Sequence, residues 1–211
     1  NDSHPDDDQG HGTHVAGIAA AQREGTTGVV GTAPDADIVS LRVFYWDEVD
    51  GTAEPTTTFL DILLAIDYAA SISADAANMS LGTPPLPPQV NAGGIRAIYQ
   101  RVIQSAVRRD TVVVAAAGND DKDLQHGGTF LLPASVPGAL AVSATGPNDK
   151  RTYYSNHGTN VISVGAPGGG YETVPKTLTA DYDDDGDCEF PIGDVDEDGE
   201  TEYQDHPCVE W

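Results

Sequence analysis

Two kinds of hydrophobic pattern alternate along the first 170 residues. Apolar residues recur at helical spacing in three segments: 11–20, 59–70 and 95–109. The last two leave their polar residues on the opposite face, whereas the small residues of 11–20 predict a buried helix packed tightly on its neighbours. Short apolar runs rich in Val, Ile, Leu and Ala separate these segments and predict buried strands: 36–44, 74–81, 111–117, 139–143 and 161–164. Strands that alternate with helices predict βαβ units. We therefore expect an α/β domain with a mostly parallel, doubly wound sheet and helices on both faces.

The chain divides near the glycine run at 168–170. Its 211 residues suffice for one α/β domain with a substantial core. Residues 181–211 are strongly acidic and contain neither Lys nor Arg. We therefore expect one domain in residues 1–170, followed by an acidic insertion or tail in residues 171–211.

The formal net charge of −24 is extreme for this length. So acidic a surface repels nucleic acid and anionic lipid, and no run of eighteen apolar residues occurs, so we expect neither a nucleic-acid partner nor a membrane. Concentrated salt screens such charge within a few ångström. The composition therefore suggests a halophilic source.

His11 is the first candidate for chemistry. It lies between Gly10 and Gly12 and opens the helical segment at 11–20. The positive end of a helix dipole disfavours an imidazolium, so an imidazole there is suited to accept a proton as a general base. His14 forms an HxxH pair with His11, but the pair lacks the spacing and the glutamate of an HExxH zinc site. A packing role at the helix start is the alternative.

Two predicted strands end in segments whose residues could take part in ligand binding or catalysis. Ligands of open parallel sheets bind outside the carboxyl ends of the strands. Ser80, Leu81 and Gly82 lie at the end of one strand, beside the place where ligands of such sheets bind. Ala117, Gly118 and Asn119 end the next one: small residues permit close approach, and Asn119 adds an amide donor. An ordinary turn is the alternative at both places.

The sequence around these residues resembles the subtilisin-like serine proteases, the subtilase family. GHGTHVAG at 10–17 is similar to the family's histidine motif, and AAGN at 116–119 to its asparagine motif. Weaker matches follow at Leu132-Pro133-Ala134, at 154–158 and at Ala166-Pro167-Gly168, in family order, and the likeness covers about residues 1–168. The resemblance implies a serine-type endopeptidase acting on polypeptides. It makes His11 the catalytic base, Asn119 the oxyanion donor, and Ser80, Leu81, Gly82, Ala117 and Gly118 substrate-binding residues.

The family's other two catalytic residues have no counterpart here. Its triad runs Asp, His, Ser along the chain. The aspartates before His11 lie too close to it and in no predicted strand, so none is assigned the role. The GTSMA serine motif is absent, and Ser163 is the last serine. Either the missing residues lie in flanking sequence, which we favour, or the scaffold has lost its chemistry. This fragment alone should be inactive.

The acidic tail contains a calcium-loop pattern. Residues 194–205 follow the DxDxDG template, with glycine at the sixth position. The predicted Ca²⁺ ligands are Asp194, Asp196, Asp198, Glu200 and Asp205. Residues 181–187 repeat the first half of the template, but Ile192 stands at its twelfth position, so this loop is incomplete. Acidic composition alone could also produce both runs.

Cys188 and Cys208 flank the 194–205 pattern. In a secreted protein they would form a disulfide that closes a loop and stabilises it by about 3 kcal/mol, whereas in a reducing compartment they would be free thiols. Taken together, we expect an extracellular, monomeric endopeptidase with structural calcium. The alternative is a non-catalytic calcium-dependent binding protein on the same scaffold.

Overall fold

The computed structural model describes residues 7, 9–23, 28–49, 52–169, 179–182 and 188–191. The helices in this part of the chain are α1 (His11–Ala20), α2 (Phe59–Ser71) and α3 (Ile95–Val107), with a 3₁₀ turn at Pro88–Gly93. The strands are β1 (Tyr45–Val49), β2 (Thr52–Thr56), β3 (Ala76–Met79), β4 (Val112–Ala116), β5 (Ala139–Thr145), β6 (Val164–Pro167), β7 (Thr179–Tyr182) and β8 (Cys188–Pro191).

A parallel four-stranded sheet in the order β3-β4-β5-β6 forms the centre of the domain. The apolar run predicted at 111–117 forms β4, which lies between β3 and β5. In the register of β3 and β4, Met79 lies opposite Ala115, so the two strands end side by side. The predicted α/β class with a mostly parallel sheet is confirmed.

Helices α2 and α3 pack on each other and on one face of this sheet. Ile66 of α2, Ile103 of α3 and Val113 of β4 are each at most 2% exposed and share one core cluster. A capping box fixes the start of α2, since Thr58 Oγ1 accepts from the Asp61 amide while Asp61 accepts from the Thr58 amide. The core therefore anchors the strands whose ends carry the candidate site.

The other face of the sheet is less covered in the described part of the chain. Val112, Leu140 and Val164 are 44%, 44% and 52% exposed. Helix α1 has no buried residue, which corrects our expectation of a tightly packed helix at 11–20. Helices are therefore seen against one face only among the described residues.

Two further predictions differ from the structure. The apolar run at 36–44 is not a strand, and Ile38 and Val39 are 53% and 56% exposed. A strand needs a hydrogen-bonding neighbour, and none of the described segments pairs with this run. Conversely, β1 and β2 form an antiparallel pair between residues 45 and 56, where the sequence pattern predicts neither a helix nor a strand. The last strand of the central sheet begins at Val164, where the sequence pattern had placed its end.

No described helix has both the length and the apolar character needed to cross a bilayer. In the acidic region, β7 and β8 pair antiparallel, with Tyr182 opposite Cys188. The division at residue 170 stays a prediction.

Candidate active site

His11 begins helix α1, and Asp7 caps that helix from outside. Gly10 adopts the left-handed conformation at the N-cap, φ +87°, and contributes no side-chain cap. Asp7 instead accepts hydrogen bonds from the Thr13 amide at 2.7 Å, the Thr13 hydroxyl at 2.8 Å and the Gly10 amide at 2.9 Å. These bonds, the Thr13 amide first, hold the pKa of Asp7 well below its usual range. Asp7 is thus a capping residue, a role that the sequence analysis missed.

The imidazole of His11 contacts the end of strand β3. Its Nε2 lies 2.8 Å from the Ser80 carbonyl oxygen, and since a carbonyl can only accept, Nε2 carries the proton in this arrangement. The sequence separates these residues by 69 positions. The structure thus brings the predicted base onto the predicted substrate edge.

The 80–82 segment ends in a residue whose backbone groups are free. The Gly82 backbone makes no hydrogen bond within the described residues, while the next amide, Thr83, donates to the Leu132 carbonyl at 2.9 Å. Ser80 Oγ accepts from Asn78 Nδ2 at 3.0 Å, which ties the segment to the strand before it. Ser80 and Leu81 are half-buried and Gly82 is exposed. An extended chain could therefore pair with this segment.

Asn119 lies beyond the end of β4, beside this edge. The Ala117 amide still donates to the Val142 carbonyl of β5 at 2.9 Å, and Gly118 then turns the chain with φ +92°. Ala117 is buried, and Asn119 is exposed. The side chain of Asn119 makes no hydrogen bond with the described residues, so its amide is available to a ligand.

Asn156 holds the loop that carries Asn119, a role that sequence reasoning did not identify. It is 0% exposed, and its side chain bonds to Ala117, Asp120 and Lys122. The sequence had placed it in the weak match at 154–158 without a function. The presence of a polar residue in this family-like segment was the only hint in the sequence. Its hydrogen-bond partners lie more than 30 positions away, so the sequence could not reveal them.

The site is next to a small charged cluster. Arg151 Nη1 donates to the Ser155 carbonyl at 2.6 Å and to Asp121 Oδ1 at 2.6 Å. His126 donates to Asp123, and this hydrogen bond lowers the pKa of Asp123 to about 2. The contacts of Arg151 tie the segment after Asn119 to the 151–155 turn.

Metal binding is not visible in the described residues, where no group of three or more His, Cys, Asp or Glu side chains is arranged to hold an ion. The predicted calcium ligands Asp194, Asp196, Asp198, Glu200 and Asp205 lie outside the described residues, and so does Cys208. The calcium and disulfide predictions therefore stay predictions.

Comparisons with known proteins identify the family of this chain. Residues 1–189 match the profile of the subtilase family. The chain is 37% identical to thermitase from Thermoactinomyces vulgaris over 181 residues, which cover 85% of this chain and 57% of thermitase. It is 35% identical to subtilisin DY from Bacillus licheniformis over 176 residues, covering 83% and 57%.

Solved structures give the same result. The epidermin leader peptide processing serine protease of Staphylococcus aureus superposes with a TM-score of 0.64 at 28% identity, over 78% of this chain and 41% of that protein. A protease from Pseudoalteromonas arctica gives 0.60 at 35% identity, over 76% and 44%. The chain spans little more than half the length of thermitase and of subtilisin DY, 57% of each. It belongs to the subtilase family.

Proposed function

We propose that this chain is the central part of a secreted serine endopeptidase that cleaves polypeptides. One observation carries the proposal: His11 Nε2 lies 2.8 Å from the backbone of Ser80, at the sheet end where Asn119 is also exposed. An imidazole, a backbone edge and an unengaged amide donor are the parts that peptide hydrolysis requires around a nucleophile, and the imidazole accepts a proton in the tautomer that leaves Nε2 free.

Each residue has one role in the proposed reaction. His11 Nε2 takes the proton of a serine hydroxyl as that oxygen attacks the peptide carbonyl, and later gives it to the leaving amine. Asn119 donates to the oxyanion. Ser80, Leu81 and Gly82 pair with the extended substrate, and the small residues Ala117 and Gly118 let its backbone approach. The resulting acyl-enzyme is hydrolysed by water.

The serine and the orienting aspartate come from sequence outside these 211 residues. Ser163, the last serine, instead donates its amide to the Ala141 carbonyl, and its hydroxyl accepts from the Ala141 amide, beside the central sheet. The triad mechanism therefore cannot run on this chain alone. In subtilisin, removal of the catalytic serine lowers kcat by about 10⁶.

Covalent labelling tests the proposal. The full-length gene product should react with a serine-directed fluorophosphonate, and H11A should abolish labelling. N119A should retain the label site but lower kcat by about 10²–10³, the loss known for the equivalent donor in subtilisin, with KM nearly unchanged. Absence of labelling in a folded, full-length wild type would instead support the non-catalytic binding protein.

The acidic region is proposed to bind structural calcium. Asp194, Asp196, Asp198, Glu200 and Asp205 offer the hard oxygen donors that Ca²⁺ prefers, at the spacing of a calcium loop. A disulfide between Cys188 and Cys208 would enclose this loop. Calorimetric titration of the full-length protein should show calcium heat that D194N/D196N reduces, and equal heat in both proteins would exclude the site.

The charge of −24 is proposed to adapt the protein to high salt. Its stability should rise with sodium chloride concentration, because screening weakens the repulsion between carboxylates. Full stability in dilute buffer would contradict this. We further propose that the protein is an extracellular monomer and that it binds neither nucleic acid nor membranes.

A further inference from the structure

Asn156 is the most completely bonded buried polar side chain near the candidate site. It is 0% exposed. Its Oδ1 accepts from the amides of Lys122 at 2.8 Å and Asp120 at 3.1 Å, and its Nδ2 donates to the Ala117 carbonyl at 2.9 Å and to Asp120 Oδ2 at 3.1 Å. Both amide hydrogens and both acceptor positions are thus used. Because two partners are backbone N–H groups, the network fixes which atom is oxygen.

These bonds lie on both sides of Asn119. The backbone amide of Asn156 also donates to the Gly118 carbonyl, at 3.0 Å. The contacts therefore hold the residues before Asn119 and those after it, while the Asn119 side chain itself makes no hydrogen bond within the described residues. The residues on either side of Asn119 therefore determine where its side-chain amide lies, and the Asn156 side chain holds both of these flanking segments.

Gly118 provides the space for this arrangement. A Cβ atom at position 118 would lie 2.5 Å from Asn156 Nδ2 and 2.6 Å from Leu131 Cδ2. The residue also has φ +92°, a conformation that other residues adopt only with strain. The loop backbone and the buried amide are thus packed directly on each other.

From this network we infer that Asn156 is a positioning residue for catalysis. It keeps the 117–122 loop in the conformation that presents the Asn119 amide, and it affects the reaction only through Asn119. An oxyanion donor works when it is held in place before charge develops, and displacements of about 1 Å are costly. Loss of Asn156 leaves the buried Ala117 carbonyl and the part-buried amides of Asp120 and Lys122 without these partners, so the loop shifts. The inference rests on the proposed function of Asn119.

The decisive experiment is a double-mutant cycle in the full-length protein. We expect N156A to lower kcat by about 10- to 100-fold while KM changes less than about 3-fold, because the lost interaction forms in the transition state. In the N119A background, the same substitution should change kcat less than about 3-fold. N160A removes an exposed asparagine four positions away and should leave both parameters unchanged.

A second variant keeps the inference testable if N156A does not fold. N156D has the same shape and keeps the oxygen that accepts from Asp120 and Lys122, but it places an oxygen opposite the Ala117 carbonyl and the Asp120 carboxylate. It should also lower kcat at least tenfold, and again only when Asn119 is present. Amide hydrogen exchange provides a readout without substrate: peptides covering 117–123 should exchange faster in both variants than in wild type and N160A.

The outcomes separate the inference from the proposed function. If N119A itself changes kcat less than about 3-fold, the oxyanion role of Asn119 is wrong, and the exchange data alone decide whether Asn156 holds the loop. If N119A shows the expected loss but N156A lowers kcat equally in both backgrounds, Asn156 acts elsewhere and the inference is overturned. Unchanged exchange at 117–123 overturns it as well.

Discussion

The phenol of Tyr99 should make the protein lose stability at alkaline pH. Tyr99 lies on α3, is 1% exposed and packs edge-on against Phe59, with its hydroxyl 3.5 Å from the Phe59 carbonyl oxygen. Burial raises its pKa from 10.0 to about 12. The folded protein therefore retains a proton that the unfolded chain releases between these values.

The difference between the folded and unfolded pKa of Tyr99 gives the direction and the size of the stability change. Because the folded pKa is the higher one, the contribution of Tyr99 is fully present below pH 10 and is lost as pH rises from 10 to 12. Two pKa units correspond to about 2.7 kcal/mol. The hydrogen bond of the hydroxyl is only partly buried, so solvent screening reduces this figure. We expect the free energy of unfolding to fall by about 2 kcal/mol across that range.

Urea unfolding followed by circular dichroism between pH 9 and 12 tests the prediction. Other groups titrate there too, so the informative quantity is the difference between wild type and Y99F, which has no phenol at this position. Y68F is the matched control because Tyr68 is 50% exposed, and it should retain the wild-type slope. Parallel curves for wild type and Y99F would refute the reasoning.

Two further predictions concern the scaffold. I103A should lower the free energy of unfolding by about 2–5 kcal/mol in urea titrations, because Ile103 is 0% exposed, whereas V107A on the exposed side of the same helix should cost less than about 1 kcal/mol. D7A should loosen the start of α1, seen as faster amide exchange at Gly10 and Thr13. Because the pKa of Asp7 is lowered in the folded state, wild type should lose the same protection as pH falls below the ordinary value of 3.8.

The sequence predicted those helices and strands whose hydrophobic pattern alone determines the type of element. Helices α2 and α3 have an apolar stripe, and β4 is apolar on both faces, so burial alone determines their type. The run at 36–44 has the same strand composition but lacks a paired neighbour in the described structure. Apolar composition makes a strand possible, and hydrogen-bonded pairing is needed to form it. The β1–β2 pair was missed because its residues, which include Pro55, do not alternate clearly.

In the candidate site, too, features that depend on partners distant in the sequence could not be predicted. His11 and Asn119 are recognisable because short motifs surround them. Asn156 could not be found that way, because its function depends on two loops that meet in space: its partners Ala117 and Lys122 precede it by 39 and 34 positions. Local patterns indicate which groups are candidates for chemistry. The residues that position those groups emerge only from the contacts.

The contact of His11 with Ser80 leads to a final prediction about the base. A carbonyl accepts a hydrogen bond, so in this chain the neutral imidazole should carry its proton on Nε2, whereas a base that deprotonates serine through Nε2 must have that nitrogen free. Nitrogen-15 chemical shifts of the His11 ring at pH 8.5 distinguish the two tautomers. We expect the Nε2-protonated form in the 211-residue chain. In the full-length protease we expect protonation at Nδ1, because an orienting carboxylate accepts that proton and the serine hydroxyl donates to Nε2. Observation of the same tautomer in both proteins would show that the missing residues do not control this histidine.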